Sequence, residues 1–102
     1  MSSAAVVDDQ AGERFVVEQD GSTAHLAYLV GDGTLVLVHT EVPDELEGRG
    51  IGGSLVRAAA ARAASEGRTI HPWCSFARKW LEDHPDVADT LTIDWTEVGP
   101  PK

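Results

Sequence analysis

The sequence predicts an α+β domain in which two main helices lie on a mostly antiparallel sheet, in the order βββαβαβ. Three observations lead there. Three β-rich apolar runs lie between residues 14 and 42, separated only by short glycine-containing turns. After Pro43 the apolar spacing becomes helical. Two further strand-like runs then flank a second helical stretch. With 102 residues there is room for one core, and 42% hydrophobic and 25% charged residues suit a folded soluble domain. That domain is expected over 13–98, with 1–12 as a mobile N-terminal tail and 99–102 as a C-terminal one.

The elements follow in order. Arg14–Gln19 (RFVVEQ) is rich in Val and Phe and ends at the turn signal Asp20-Gly21-Ser22. Thr23–Val30 alternates loosely and is closed by Gly31-Asp32-Gly33, after which Thr34–Val42 reads as a third strand of an antiparallel meander. Ile51, Leu55, Val56, Ala59 and Ala63 then mark one face of the longest helix, with Gly67 where a C-cap glycine belongs. Thr69–Cys74 is a short strand carrying Pro72. Ser75–His84 places Phe76, Trp80 and His84 at i, i+4 and i+8; Ser75 suits an N-cap and Pro85 stops the helix. Thr90–Val98 alternates as a last strand, with Leu91, Ile93 and Trp95 on one face.

Charge excludes some functions. With 17 Asp and Glu against 8 Lys and Arg the net charge is −9, which argues against general affinity for nucleic acid. The charge is uneven: residues 1–45 sum to −8, residues 46–80 to +4 and residues 81–102 to −5. Arg49, Arg57, Arg62, Arg68, Arg78 and Lys79 thus cluster in the middle third, as either a solvated helix face or an anion site. No apolar run approaches the ~20 residues of a membrane span. The first twelve residues lack the features of a secretion signal, so a cytoplasmic location is expected. The single cysteine, Cys74, excludes an intramolecular disulfide and agrees with a reducing compartment. His39, Glu41, His71 and Cys74 are metal-ligand types without a ligand spacing, so no metal is expected.

The most informative segment is Glu47-Gly48-Arg49-Gly50-Ile51-Gly52-Gly53-Ser54, between a strand and the long helix. So many glycines make a poor helix start. They suit a loop whose exposed backbone N–H groups meet a polyphosphate at a helix N-terminus, with Arg49 adding charge. Gly48, Gly50 and Gly53 satisfy G-x-G-x-x-G, but the strand does not run straight into them and Arg68–Cys74 supplies no acid, so a dinucleotide fold is rejected. A P-loop fails because no lysine precedes Ser54.

Strand, Val-Pro, a short acidic loop and Gly-Arg-Gly-Ile-Gly-Gly-Ser-Leu-Val opening an alanine-rich helix resemble the acetyl-CoA pyrophosphate loop of the GNAT N-acetyltransferase superfamily. Its motif is written Q/R-x-x-G-x-G/A. Glu47 departs from the first position, while Gly50 and Gly52 match. His39-Thr40-Glu41-Val42-Pro43, the Cys74-Ser75-Phe76 segment and His84-Pro85 narrow the resemblance to short stand-alone GNAT-like domains, over roughly residues 13–95. In those domains the cysteine segment commonly reads Cys-Pro-Phe.

The resemblance implies a compact acyl-CoA N-acyltransferase fold and acetyl-CoA or CoA as cofactor. It implies transfer of acetyl to a primary amine, such as a protein lysine, an N-terminus or a small amine. Val38, Thr40 and Val42 would meet the pantetheine, and Gly48, Arg49, Gly50, Ile51, Gly52, Gly53 and Ser54 the phosphates. Phe76 and Lys79 would complete the cofactor site; Phe76 and Trp80 otherwise cover one end of the sheet. It also implies an open acceptor site, since the N-terminal helices of larger relatives are missing.

Strand alternation puts His39 and Glu41 on one face and Val38 and Thr40 on the other. Glu41 is the first candidate for general base and His39 the second, because an amine of pKa ~10.4 must lose a proton before it attacks. Cys74 is the candidate nucleophile, before a helix N-terminus with Arg78 and Lys79 one turn on. Many relatives use a tyrosine as general acid near the second helix. The only tyrosine is Tyr28, on the second strand, so water, His84 or Cys74 would protonate the thiolate. The rival reading is a non-catalytic CoA-binding module acting through a protein partner. A monomer or weak dimer is expected. Acid in the outer segments would draw cationic amines toward the acceptor face.

Overall fold

The structure, a computed structural model, describes residues 5–96. Five strands form one sheet in sequential order: β1 (Val7–Asp9), β2 (Arg14–Gln19), β3 (Ser22–Gly31), β4 (Thr34–Glu41) and β5 (Thr69–Pro72). The first three pairings are antiparallel. β5 runs parallel to β4 because a helix, α1 (Ile51–Glu66), carries the chain back between them. Two helices follow, α2 (Ser75–Asp83) and α3 (Pro85–Ala88). The α+β class and the meander are as expected. Among the described residues no helix is long and apolar enough to cross a membrane.

The β2–β3 turn shows why the meander forms. Asp20 and Gly21 have φ of 53° and 79°, the left-handed pair of a type I′ hairpin turn, which residues of this type tolerate. Alternation along the strands then buries Phe15, Val17, Leu26, Tyr28, Leu35 and Leu37 on one face, against Leu55, Val56 and Ala59 of α1 and Leu81 of α2. At the end of α1, Gly67 (φ 67°) donates its N–H toward the Ala63 and Ala64 carbonyls, closing the helix as its position suggested. The opposite face, with His25, Ala27, Val36 and His71, carries no helix among the described residues.

Three expectations need correction. Residues Val7–Asp9 of the expected N-terminal tail are an edge strand, with Val7 opposite Val16 and Asp9 opposite Arg14. The reason is a half-buried polar clasp: Tyr28 Oη donates to Asp8 at 2.6 Å and Arg62 donates to the same carboxylate at 3.1 Å. Both partners are distant in sequence. The expected last strand at 90–98 is reduced to one parallel bridge between Ile70 and Ile93. There the Ile70 N–H meets the Thr92 carbonyl at 2.9 Å and the Asp94 N–H meets the Ile70 carbonyl at 2.8 Å. The Asp94 carboxylate then accepts the Thr96 N–H at 3.0 Å, a local turn that competes with a ladder. Glu97 and Val98 of that run, residues 1–4 and the expected tail at 99–102 lie outside the described residues. Finally, Ser75 is the first helical residue of α2, and the N-cap position belongs to Cys74, without a side-chain cap bond.

Candidate functional site

The site begins with an irregularity in β4. Tyr28 stands opposite Leu37 but Ala27 stands opposite His39, so Val38 has no register partner on β3, and none on β5. A bulge of one extra residue reverses the facing of everything beyond it. Leu35 and Leu37 point to the helices, and simple alternation would send His39 and Glu41 there too. Instead Thr40 pairs with buried Leu26 and joins the helix side, while His39 and Glu41 pair with Ala27 and His25 on the helix-free face. The His25 and His39 rings lie 6.1 Å apart there, and His39 Nε2 is 3.7 Å from Glu41 Oε1.

After Val42-Pro43 a 3₁₀ turn (Asp44–Leu46) buries Leu46 and delivers the chain to the glycine loop. The glycines divide into two kinds. Gly48 and Gly50 have φ of 81° and 75°, the left-handed region that L side chains avoid, and no atom lies within 4 Å of where their Cβ would be. Gly52 and Gly53 are helical and closely covered: a Cβ would lie 2.7 Å from Phe76 Cζ and 2.7 Å from Trp80 Nε1, respectively. They let α2 lie directly on the first turn of α1.

Gly50 is the N-cap of α1 and offers no side chain to cap it. The first intrahelical bond is from the Ser54 N–H to the Gly50 carbonyl at 3.0 Å. The N–H groups of Ile51, Gly52 and Gly53 therefore precede any helical acceptor, and they carry the positive end of a 16-residue helix dipole. The Ser54 hydroxyl turns back to the same Gly50 carbonyl at 3.2 Å.

This helix end opens into a cavity of about 810 Å³, within the usual size of small-molecule sites. It is a trough. It is lined by Thr40, Glu41 and Val42 of β4 and its extension with Leu46, by the glycine loop and the start of α1 as far as Arg57, and by Phe76, Trp80 and His84. His84 stacks on Trp80 with ring centroids 3.8 Å apart and planes 9° from parallel. Its Nδ1 donates to the Trp80 carbonyl at 2.7 Å, which leaves Nε2 as the nitrogen able to meet a ligand. The Arg57 guanidinium lies 5.1 Å from the centre of the same indole.

Of the residues expected at the cofactor, Thr40, Val42, Gly48, Gly50, Ile51, Gly52, Gly53, Ser54 and Phe76 line the trough, as does Glu41. Val38, Arg49 and Lys79 do not. Arg49 turns to Asp20 at 2.6 Å and Lys79 to Asp83 at 3.0 Å. Cys74 is buried, with Thr40 Oγ1 at 3.3 Å from its sulfur, and does not line the trough. Arg78, expected to influence it, donates to the Trp95 carbonyl instead. His39 is on the helix-free face. Leu46, Glu47, Arg57 and Trp80 line the trough without having been expected among the cofactor contacts, and His84, a candidate proton donor to the thiolate, lines it too. A signal for Arg57 was present, since it is i+4 from Gly53. Tyr28 does not line the trough. Burial first, and then its bond to the Asp8 carboxylate, push its hydroxyl up to about 12, with Arg62 opposing at 2.9 Å.

Known proteins resemble this chain in sequence and in fold. A family model described as GCN5-related N-acetyl-transferase matches residues 14–100. Protein NATD1 of Xenopus tropicalis is 37% identical over 87 residues, covering 82% of this chain and 80% of that protein. The human protein NATD1 is 35% identical over 83 residues, covering 78% and 74%. A solution NMR structure of a GCN5-like protein from Staphylococcus aureus superposes with a TM-score of 0.67 at 28% identity, covering 99% of this chain and 94% of the other.

Proposed function

The chain belongs to the GCN5-related N-acetyltransferase family, and from that premise we propose that it binds acetyl-CoA in the trough and transfers the acetyl group to a primary amine. The observation that carries this reading is the uncapped N-terminus of α1 opening into the cavity. The residues fit a polyphosphate ligand: the N–H groups of Ile51, Gly52 and Gly53 have no helical acceptor, and Gly48 and Gly50 expose bare backbone beside them. Acetyl-CoA brings a thioester, an acyl group already activated for an amine.

The bulge supports a division of labour. Val38 stands outside both strand registers, and the chain beyond it, Thr40–Val42, lines the trough, where its main chain would meet a pantetheine arm or a polarised carbonyl. Glu41 is at the trough's rim while its strand face is the helix-free one, which suits a base that receives an amine from that side. An ammonium group must lose a proton to become a nucleophile, and Glu41, beside His39, accepts it directly or through water. Cys74 is only 9% exposed, which favours direct transfer in a ternary complex over an acetyl-cysteine. The acidic outer segments attract a cationic acceptor.

One observation favours a second reading. The only tyrosine is held between Asp8 and Arg62, away from the trough, so no tyrosine protonates a leaving thiolate. A CoA-binding module that acts through a protein partner would not need one.

Calorimetry with acetyl-CoA, followed by turnover with a panel of amines, tests both. Binding with turnover is expected. Glu41→Gln should lower kcat by about 100-fold with the acetyl-CoA Kd unchanged, and Cys74→Ala should stay active. No binding at millimolar acetyl-CoA sinks both readings; binding without turnover for any amine leaves the module.

A further inference from the structure

Among the described lysines and arginines, Arg57 is the one without a protein acceptor. Arg14, Arg49, Arg62, Arg68 and Lys79 each reach a carboxylate, and Arg78 reaches the Trp95 carbonyl. Asp86 borders a neighbouring shallow groove with Arg57 but makes no ion pair with it. In a chain of net charge −9, a cation left free beside a cavity is a specific arrangement.

Its surroundings hold it there. The guanidinium lies over the Trp80 indole, which His84 backs by stacking on it. A cation–π contact uses none of the guanidinium N–H donors on an acceptor, and their fork matches the oxygens of a phosphate. Arg57 is four residues beyond Gly53, on the same face of α1 and roughly 6 Å further along its axis. It therefore sits one turn past the backbone donors proposed for the pyrophosphate and lines the same cavity.

We propose that Arg57, on its Trp80 platform, binds the ribose 3′-phosphate of coenzyme A and so selects coenzyme A over its 3′-dephospho form. This rests on the acetyl-CoA reading above. A pantetheine arm directed to Thr40–Val42 and a pyrophosphate on the first turn of α1 leave the adenosine end to the stretch of trough walled by Arg57 and His84. A phosphate monoester there carries about two negative charges at neutral pH, and Arg57 is the charge able to answer it.

Calorimetry of the full chain with coenzyme A and with 3′-dephospho-coenzyme A tests the assignment, for the wild type, Arg57→Gln and Arg57→Lys. The wild type should bind coenzyme A about tenfold or more tightly than the dephospho form. Arg57→Gln should erase that ratio by weakening coenzyme A alone, and Arg57→Lys, which keeps the charge without the fork, should fall between. Equal affinities in the wild type overturn the proposal and leave the acetyl-CoA reading standing. So does an equal loss for both ligands in Arg57→Gln, which would assign the arginine to the pyrophosphate. Absence of binding by either ligand to the wild type overturns both.

Discussion

Arg49 donates to the Asp20 carboxylate at 2.6 Å, tying the glycine loop to the left-handed tip of the β2–β3 turn. The cation that the sequence sets inside the phosphate loop is thus held on its outer side, as a brace. Ser22 makes a parallel tie, its hydroxyl donating to Glu45 at 2.7 Å.

Because both partners of the brace are well exposed (41% and 66%), it is worth less than about 1 kcal/mol. Arg49→Gln is therefore expected to lower unfolding free energy by no more than that in urea. Its acetyl-CoA Kd should change by less than about threefold, since the backbone donors stay in place. A tenfold loss of affinity with unchanged stability would return Arg49 to the ligand.

The two helical glycines should respond differently to alanine. At Gly53 the new Cβ meets Trp80 Nε1 at 2.7 Å, and that indole is held between its contacts with His84 and Arg57. Overpacking of about 1–3 kcal/mol outweighs the gain in helix propensity of about 1 kcal/mol. Gly53→Ala should destabilise by about 1 kcal/mol and weaken acetyl-CoA binding. At Gly52 the contact is the far end of Phe76, a ring 43% exposed and free to swing outward, so Gly52→Ala should be near neutral in stability. Thermal or urea unfolding of the pair checks the order; equal losses would refute it.

The Tyr28 clasp should show itself at alkaline pH. Its folded pKa, pushed up to about 12, lies above the ordinary value of 10.0, so the neutral phenol favours the folded state. The contribution is fully present below pH 10 and is lost as pH rises through 12. Tyr28→Phe removes the titrating group, so its stability should fall less steeply than the wild type's across that window. It should also cost about 1 kcal/mol at neutral pH through the lost bond to Asp8. Parallel pH–stability profiles for the two proteins would exclude the tyrosine as the source.

Local features were the legible ones. The strands at 14–19, 22–31 and 34–41, the helix closed by Gly67 and the glycine loop follow from side-chain period, turn chemistry and glycine placement, all written within a few residues. Elements whose support is distant were misread. β1 exists because Asp8 meets Tyr28 and Arg62, and the stretch at 90–96 fails as a strand because a local Asp94 turn competes with its pairing. The site divides in the same way. The backbone cradle at Gly48–Gly53 was visible from composition, whereas Arg57 and Arg49 looked alike until one was found over Trp80 and the other on Asp20.

The sequence by itself determined the fold class, the family resemblance and the anion-binding character of the loop, because period and glycine pattern act over single turns of chain. Tertiary structure decided which side chains share a surface. A single unpaired residue, Val38, sends His39 and Glu41 away from the helices and turns Thr40 toward Cys74. Packing of α2 on Gly52 and Gly53 chooses Arg57 over five other mid-chain cations as the one facing the trough. Register and helix packing are set by contacts between segments far apart in the chain, and no local spacing records them.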